Sequence, residues 1–187
     1  MNKKTKDVMF GSKNPNWETP KWLILLCTEI FHLEIDAASS DRNAKFGKCL
    51  TEKDDSLEDI SWSTKIAKKY NCANIKRRFW LNPPYGRQIP KWVKKVCKEV
   101  EELEEVLVLL PARTDTKWFK KIQTVARVTY FLEGRLTFLD NDYCSLFGLE
   151  DIKGEPAPFP SVLIYCSRFD ANVNDEKLRR LCTLVHP

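Results

Sequence analysis

Only two histidines, His32 and His186, occur in the 187-residue chain, and it has no CxxC and no Cys-His pair. Zinc sites need paired ligands at short spacing. The seven cysteines (Cys27, Cys49, Cys72, Cys97, Cys144, Cys166 and Cys182) are dispersed, odd in number and mostly set in apolar segments. They read as reduced core thiols, and no metal is expected. No long hydrophobic run exists beyond "WLILLC", which is far too short to span a bilayer. "MNKKTKDVMFGSKNP" lacks an apolar core followed by a small-residue cleavage site, so it is not a secretory signal, and a cytoplasmic location is expected. Internal repeats, low-complexity tracts and Gly/Ser linkers are also missing. One domain over 16–187, after a flexible segment 1–15, is therefore expected.

The apolar fraction of 43% is enough for a buried core, and a net charge of +5 mildly favours a polyanionic partner. Thr19 and Pro20 read as N-cap and first helical residue. Trp22, Leu26 and Ile30 then predict one apolar helix face. "HLEIDAAS" predicts a short strand that turns at Asp36–Ser39, while the polar stretch from Asp41 to Trp62 has no clear assignment. "RFWLNPPY" predicts a strand, and "IPKWVKKVCKEVEELEE" a helix with Trp92, Val96, Val100 and Leu103 on one face. "VLVLLP" reads as a strand buried on both sides. A helix follows through Trp118, Ile122 and Val125, with Thr114 or Asp115 as alternative caps. "RVTYFLEGRLTF" predicts a strand and a turn at Glu133-Gly134, "FPSVLIYCS" another strand, and "NDEKLRRLCTLV" a last helix with Leu178, Leu181 and Val185 inward. Trp92 and Trp118 fit core positions. Helices alternating with apolar strands imply a mostly parallel sheet flanked by helices, with ligands at the carboxyl ends of the strands. Asp36 and Asn82 both fall at such ends.

The stretch "NPPYG" ends a core strand on an amide, two residues without N–H groups and an aromatic ring. Such a loop presents acceptors on a stiff backbone beside a ring face. A planar group bearing an NH2, such as adenine, complements it: the ring stacks on Tyr85 while the NH2 donates to Asn82 and to the Pro83 carbonyl. Fixed acceptors orient the amine lone pair toward an electrophile. A strand-terminating turn in which Pro83 and Pro84 stop the sheet explains the same four residues, and both readings stay open at this point.

With "WETP", "EIDAAS", "SW" at Ser61-Trp62, "LLPARTDTKWF", "FLEGRLTF" and "APFPSVLIY" in order around "NPPYG", the chain resembles the phage-type, Dam-like DNA N6-adenine methyltransferases of phages and prophages. The resemblance spans about residues 16–166. It implies a Rossmann-like class I fold and S-adenosylmethionine as cofactor. It also implies double-stranded DNA as partner and a restriction-modification setting. Asn82, Pro83, Pro84 and Tyr85 would hold a flipped adenine. Trp17, Thr19, Pro20, Asp36, Ala37, Ala38 and Asn82 would face the cofactor. Ala37, Ala38 and Ser39 stand where class I enzymes carry glycines, and Asp54 or Asp55 is the candidate for the cofactor ribose. Lys76, Arg77, Arg87, Arg113 and Arg135 are the candidate DNA contacts, and the excursion Leu139–Phe159 is the candidate recognition element. An enzyme acting on RNA adenine or protein glutamine, or a silent nucleic-acid-binding relative, remains an alternative here.

Overall fold

A computed structural model describes residues 17–140, 156–169 and 174–185. The segment 1–15, Cys144 and most of the 139–159 excursion therefore lie outside the described residues.

Strand β1 (Trp17–Glu18) leads into helix α1 (Lys21–Phe31). Then come β2 (Ile35–Ser39), β3 (Lys48–Thr51), a 3-10 turn (Glu52–Asp54) and α2 (Trp62–Tyr70). β4 (Arg78–Leu81), α3 (Ile89–Glu101), β5 (Glu105–Pro111), α4 (Lys117–Gln123) and β6 (Ala126–Leu132) continue the alternation. β7 (Leu139–Asp140), β8 (Ser161–Cys166), α5 (Glu176–Arg179) and β9 (Cys182–Val185) follow.

Seven strands form one sheet in the order β3-β2-β4-β5-β8-β6-β9, and β1 pairs with β7 apart from it. β2, β3, β4 and β5 run parallel. β8 opposes both β5 and β6, so β6 shares the direction of the first four, and β9 opposes β6. Five of the seven strands thus point one way. The result is a mostly parallel α/β sheet of the class I methyltransferase kind.

Past their first residues, Arg78, Glu105 and Ser161, the central strands β4, β5 and β8 are almost wholly apolar because each face carries helices. Along β5, Val106, Val108 and Leu110 enter one core with Trp62, Ile66, Val93 and Ile122 from α2, α3 and α4. Leu107 and Leu109 enter the other, with Leu23, Cys27 and Ile30 from α1 and Leu178 from α5. Side chains alternate with the period of two that a strand imposes, which is why "VLVLLP" shows no polar positions.

Several expectations change. Thr19 does not cap α1: Pro20 is the N-cap, and its carbonyl accepts from Leu23 and Ile24 at 3.1 and 3.3 Å. The buried face of α1 is Leu23, Ile24, Cys27, Ile30 and Phe31, while Trp22 is 52% exposed. Asp36–Ser39 is not a turn but the body of β2, with a bulge; the turn follows at Ser40–Asn43, where Asn43 Oδ1 accepts from the Ser40 amide at 2.6 Å. Thr116, rather than Thr114 or Asp115, caps α4 by accepting from Phe119 N at 3.3 Å. Leu103 lies past the end of α3 and is 46% exposed. The expected last helix is one turn, α5, followed by β9. Leu178 is buried, but Leu181 is 42% exposed.

Candidate active site

The carboxyl ends of β2, β3 and β4 enclose a cleft of about 300 Å³. Its walls are the β2 end with Asp36 and Ala38, the segment after β3 from Glu52 to Leu57, and the loop Asn82–Tyr85. Glu18 at the end of β1 and Thr19 just after it complete the lining on this side. β4 stops at Leu81 because Pro83 and Pro84 have no N–H to continue a ladder.

Asn82 is fixed by its amide nitrogen, which donates to Thr19 Oγ1 at 3.1 Å. That contact assigns the amide nitrogen to Thr19 and leaves the amide oxygen, which is buried, on the other side of the group. Tyr85 lies at the sheet edge, packed against both cores. Its ring meets Phe138 and Phe159 edge-on, at 6.2 and 5.5 Å between centroids. Its hydroxyl donates inward to the Leu109 carbonyl at 3.5 Å, and burial pushes that hydroxyl well above its ordinary pKa.

Asp36 is buried, and burial raises its carboxyl to about 6 against the opposing pull of the Ala38 and Lys45 amides and the Lys45 charge. Oδ1 accepts from Ala38 N and Oδ2 from Lys45 N, both at 3.1 Å. Glu18 and the Lys45 ammonium form an ion pair inside the cleft.

The cleft brings together Thr19, Asp36, Ala38, Asn82, Pro83, Pro84 and Tyr85. Pro20 and Ala37 do not line it: Pro20 caps α1, and Ala37 faces the core while its carbonyl accepts from Ser56 Oγ at 2.7 Å. Trp17 is placed by its backbone pairing with Asp140. Asp54 is turned away. Its Oδ2 accepts from the Thr51 amide and hydroxyl and pairs with Lys69 at 2.6 Å, so it holds the 3-10 turn instead. Asp55 lines the cleft, and so does Glu52, which no sequence signal marks because it follows a half-exposed edge strand, β3. Trp92 is a core residue as expected, yet it also borders the cleft. Its indole N–H is buried with no acceptor among the described residues.

The basic candidates divide. Arg87, Arg113 and Arg135 follow the carboxyl ends of β4, β5 and β6, which share one direction, so all three lie on the edge that carries the cleft. Lys76 and Arg77 precede the amino end of β4 on the opposite edge. Lys76 pairs with Glu34 at 2.6 Å, and Arg77 donates to the Glu102 carbonyl at 2.7 Å. Neither is near the loop.

The family model described as DNA N-6-adenine-methyltransferase (Dam) matches residues 8–154. The chain belongs to this family. It is therefore an enzyme, an adenine-specific DNA methyltransferase of phage type. The DNA N-6-adenine-methyltransferase of Haemophilus phage HP1 (strain HP1c1) is 23% identical over 141 residues, covering 74% of each chain. That of Escherichia phage T1 is 29% identical over 142 residues, covering 74% of this chain and 54% of the T1 protein. The match thus spans only about half of the T1 relative's length. No helix among the described residues is long and apolar enough to cross a membrane.

Proposed function

We propose that the cleft binds S-adenosylmethionine and that the Asn82–Tyr85 loop presents the N6 amine of an adenine flipped out of double-stranded DNA. The observation that carries this reading is Asn82, held by Thr19 at the rim of the cleft and followed by two prolines and a ring. The cleft fits the cofactor. Glu52 and Asp55 offer carboxylates for ribose hydroxyls, and the buried Trp92 N–H offers a donor for an aromatic nitrogen. Glu18 and Lys45 supply one charge of each sign. When bound, the cofactor supplies an electrophilic methyl group on sulfonium.

The chain's own residues do the positioning. Asn82 Oδ1 and the Pro83 carbonyl accept from the adenine NH2, hold it against Tyr85 and aim its lone pair. No base is needed before attack, because the nitrogen turns acidic once alkylated and then releases its proton. A buried polar group held by fixed partners reorganises little during the step, which is where the rate advantage arises.

Asn82→Ala tests this. Its single-turnover methylation of duplex DNA should fall by about a hundredfold or more, the usual scale for losing one preorganised contact. Binding of S-adenosylhomocysteine and of DNA should stay near wild type. A variant with wild-type turnover contradicts the assigned role.

A further inference from the structure

Glu18 and Lys45 raise a question that the proposed chemistry leaves open. They come from different elements, β1 and the segment between β2 and β3, and meet inside the cleft. Their side chains are only 17% and 15% exposed. Among the described residues neither forms another ion pair. Lys45 is placed by its own backbone N–H, which donates to Asp36 Oδ2 at 3.1 Å. Both Asp36 oxygens are engaged by backbone amides, so Glu18 is the carboxylate at this end of the cleft that is held only by a side chain. Glu18 also directly precedes Thr19, the residue that orients Asn82. The pair therefore stands at the Asn82 end of the cleft, while Glu52 and Asp55 stand at the β3 end.

We infer that Glu18 and Lys45 form the receptor for the amino-acid end of the methyl donor, Glu18 taking its α-ammonium and Lys45 its α-carboxylate. The inference rests on the cofactor reading given above. The ligand chemistry orders the sites: sulfur lies between the adenosine and the amino-acid portion. With the ribose at the acidic β3 end and the methyl at Asn82, the zwitterionic head belongs at the remaining charged pair. Electrostatics favours the exchange. A half-buried ion pair that loses one member leaves a costly unpaired charge. A zwitterion replaces the one internal pair with two charge-assisted pairs, so neither protein charge is left alone. In the free protein the same two residues neutralise each other and hold β1 against the cleft. The binding energy then depends on the ligand carrying both charges, which gives selectivity for an intact amino-acid end.

Calorimetry with two ligands tests the assignment: S-adenosylhomocysteine, and 5′-methylthioadenosine, which shares the adenosine and thioether but lacks the zwitterion. Wild type should prefer S-adenosylhomocysteine. Glu18→Gln and Lys45→Gln should each weaken S-adenosylhomocysteine by about tenfold or more, the scale of one charged hydrogen bond. Methylthioadenosine affinity should change less than about twofold, within ordinary surface-mutation effects. The doubly reversed Glu18→Lys/Lys45→Glu variant keeps an internal pair. It should melt near wild type yet lose the preference, because the handedness of the ligand's α-carbon no longer matches. Equal weakening of both ligands, or a preference that survives in every variant, assigns the pair to structure alone and overturns the inference while the cofactor reading stands. Failure of wild type to bind S-adenosylhomocysteine overturns both.

Discussion

The residues proposed to carry the chemistry are held in place by neighbours, and those neighbours are where single changes are most informative. Thr19 has one contact of consequence at the site, the hydroxyl that accepts from Asn82 Nδ2 at 3.1 Å. Thr19→Val keeps the shape and removes that acceptor, so the amide loses its fixed orientation. Turnover should fall by about tenfold, the value of one hydrogen bond to a group that must be oriented, with donor affinity little changed. A wild-type single-turnover rate in this variant would mean that Asn82 is oriented by something else. Tyr85 separates ring from hydroxyl. Its hydroxyl contact to Leu109 is long at 3.5 Å, so Tyr85→Phe should be mild. Tyr85→Ala removes the proposed base-stacking face, worth roughly 1–3 kcal/mol, and the edge contacts to Phe138 and Phe159. Equal damage from both changes, measured as kcat/KM on duplex DNA, would shift the role from ring to hydroxyl.

At the scale of elements, helix α3 and the segment before α2 are joined by buried charge. Lys95 donates to the carbonyls of Glu58 and Ile60 at 2.8 Å each and contacts Glu99 at 2.7 Å. Glu99 Oε2 accepts from Trp62 N at 2.8 Å. This hangs the wall of the cleft, Asp55–Leu57, from α3. Glu104 lies fully buried nearby, with the Arg77 guanidinium only within 3.8 Å. Burial, above all, raises its carboxyl from 4.5 to about 7, with Glu99 adding to the rise and Ser63 and Arg77 opposing it. The folded chain therefore holds this proton more tightly than the unfolded chain between those two values. Stability should fall as pH rises through that window and stay low above it. Glu104→Gln should flatten that fall and raise the melting temperature at pH 8 by at least about 2 °C. A variant with the same pH dependence as wild type would contradict the burial argument.

Elements also show what the sequence makes legible. β4, β5 and β8 are buried on both faces, so their apolar runs stand out, and α3 shows its stripe over a full 13 residues. β3 is an edge strand, paired only with β2 and half exposed at Lys48 and Cys49, so no apolar run marks it. α2 had readable signs, Ser61 as cap with Trp62, Ile66 and Tyr70 at every fourth position, but a polar stretch on either side masked them. Missing β3 also hid Glu52, because a residue at a strand end is visible only once the strand is. Asn82, Pro83, Pro84 and Tyr85 were legible because their chemistry is local. The Glu18–Lys45 pair was not, since 27 residues separate its members and only the fold brings them together.

For the whole molecule, the sheet direction sets the edge on which the proposed DNA contacts lie. The cleft and Arg87, Arg113 and Arg135 share the carboxyl edge, while Lys76 is paired with Glu34 on the other. Neutralising each of the three arginines to Gln should lower the salt slope of DNA binding by about one. Lys76→Gln should leave it unchanged, and a slope that drops for Lys76 instead would place the DNA on the wrong edge. The central claim is a methyl transfer to one atom of one base. It is tested most directly by incubating the protein with unmethylated duplex DNA and S-adenosylmethionine labelled in its methyl group, then digesting the DNA and separating its nucleosides. The account predicts label in N6-methyl-2′-deoxyadenosine, present with wild type and nearly absent with Asn82→Ala. Label in a cytosine nucleoside, or none in DNA while RNA or protein is labelled, would contradict it.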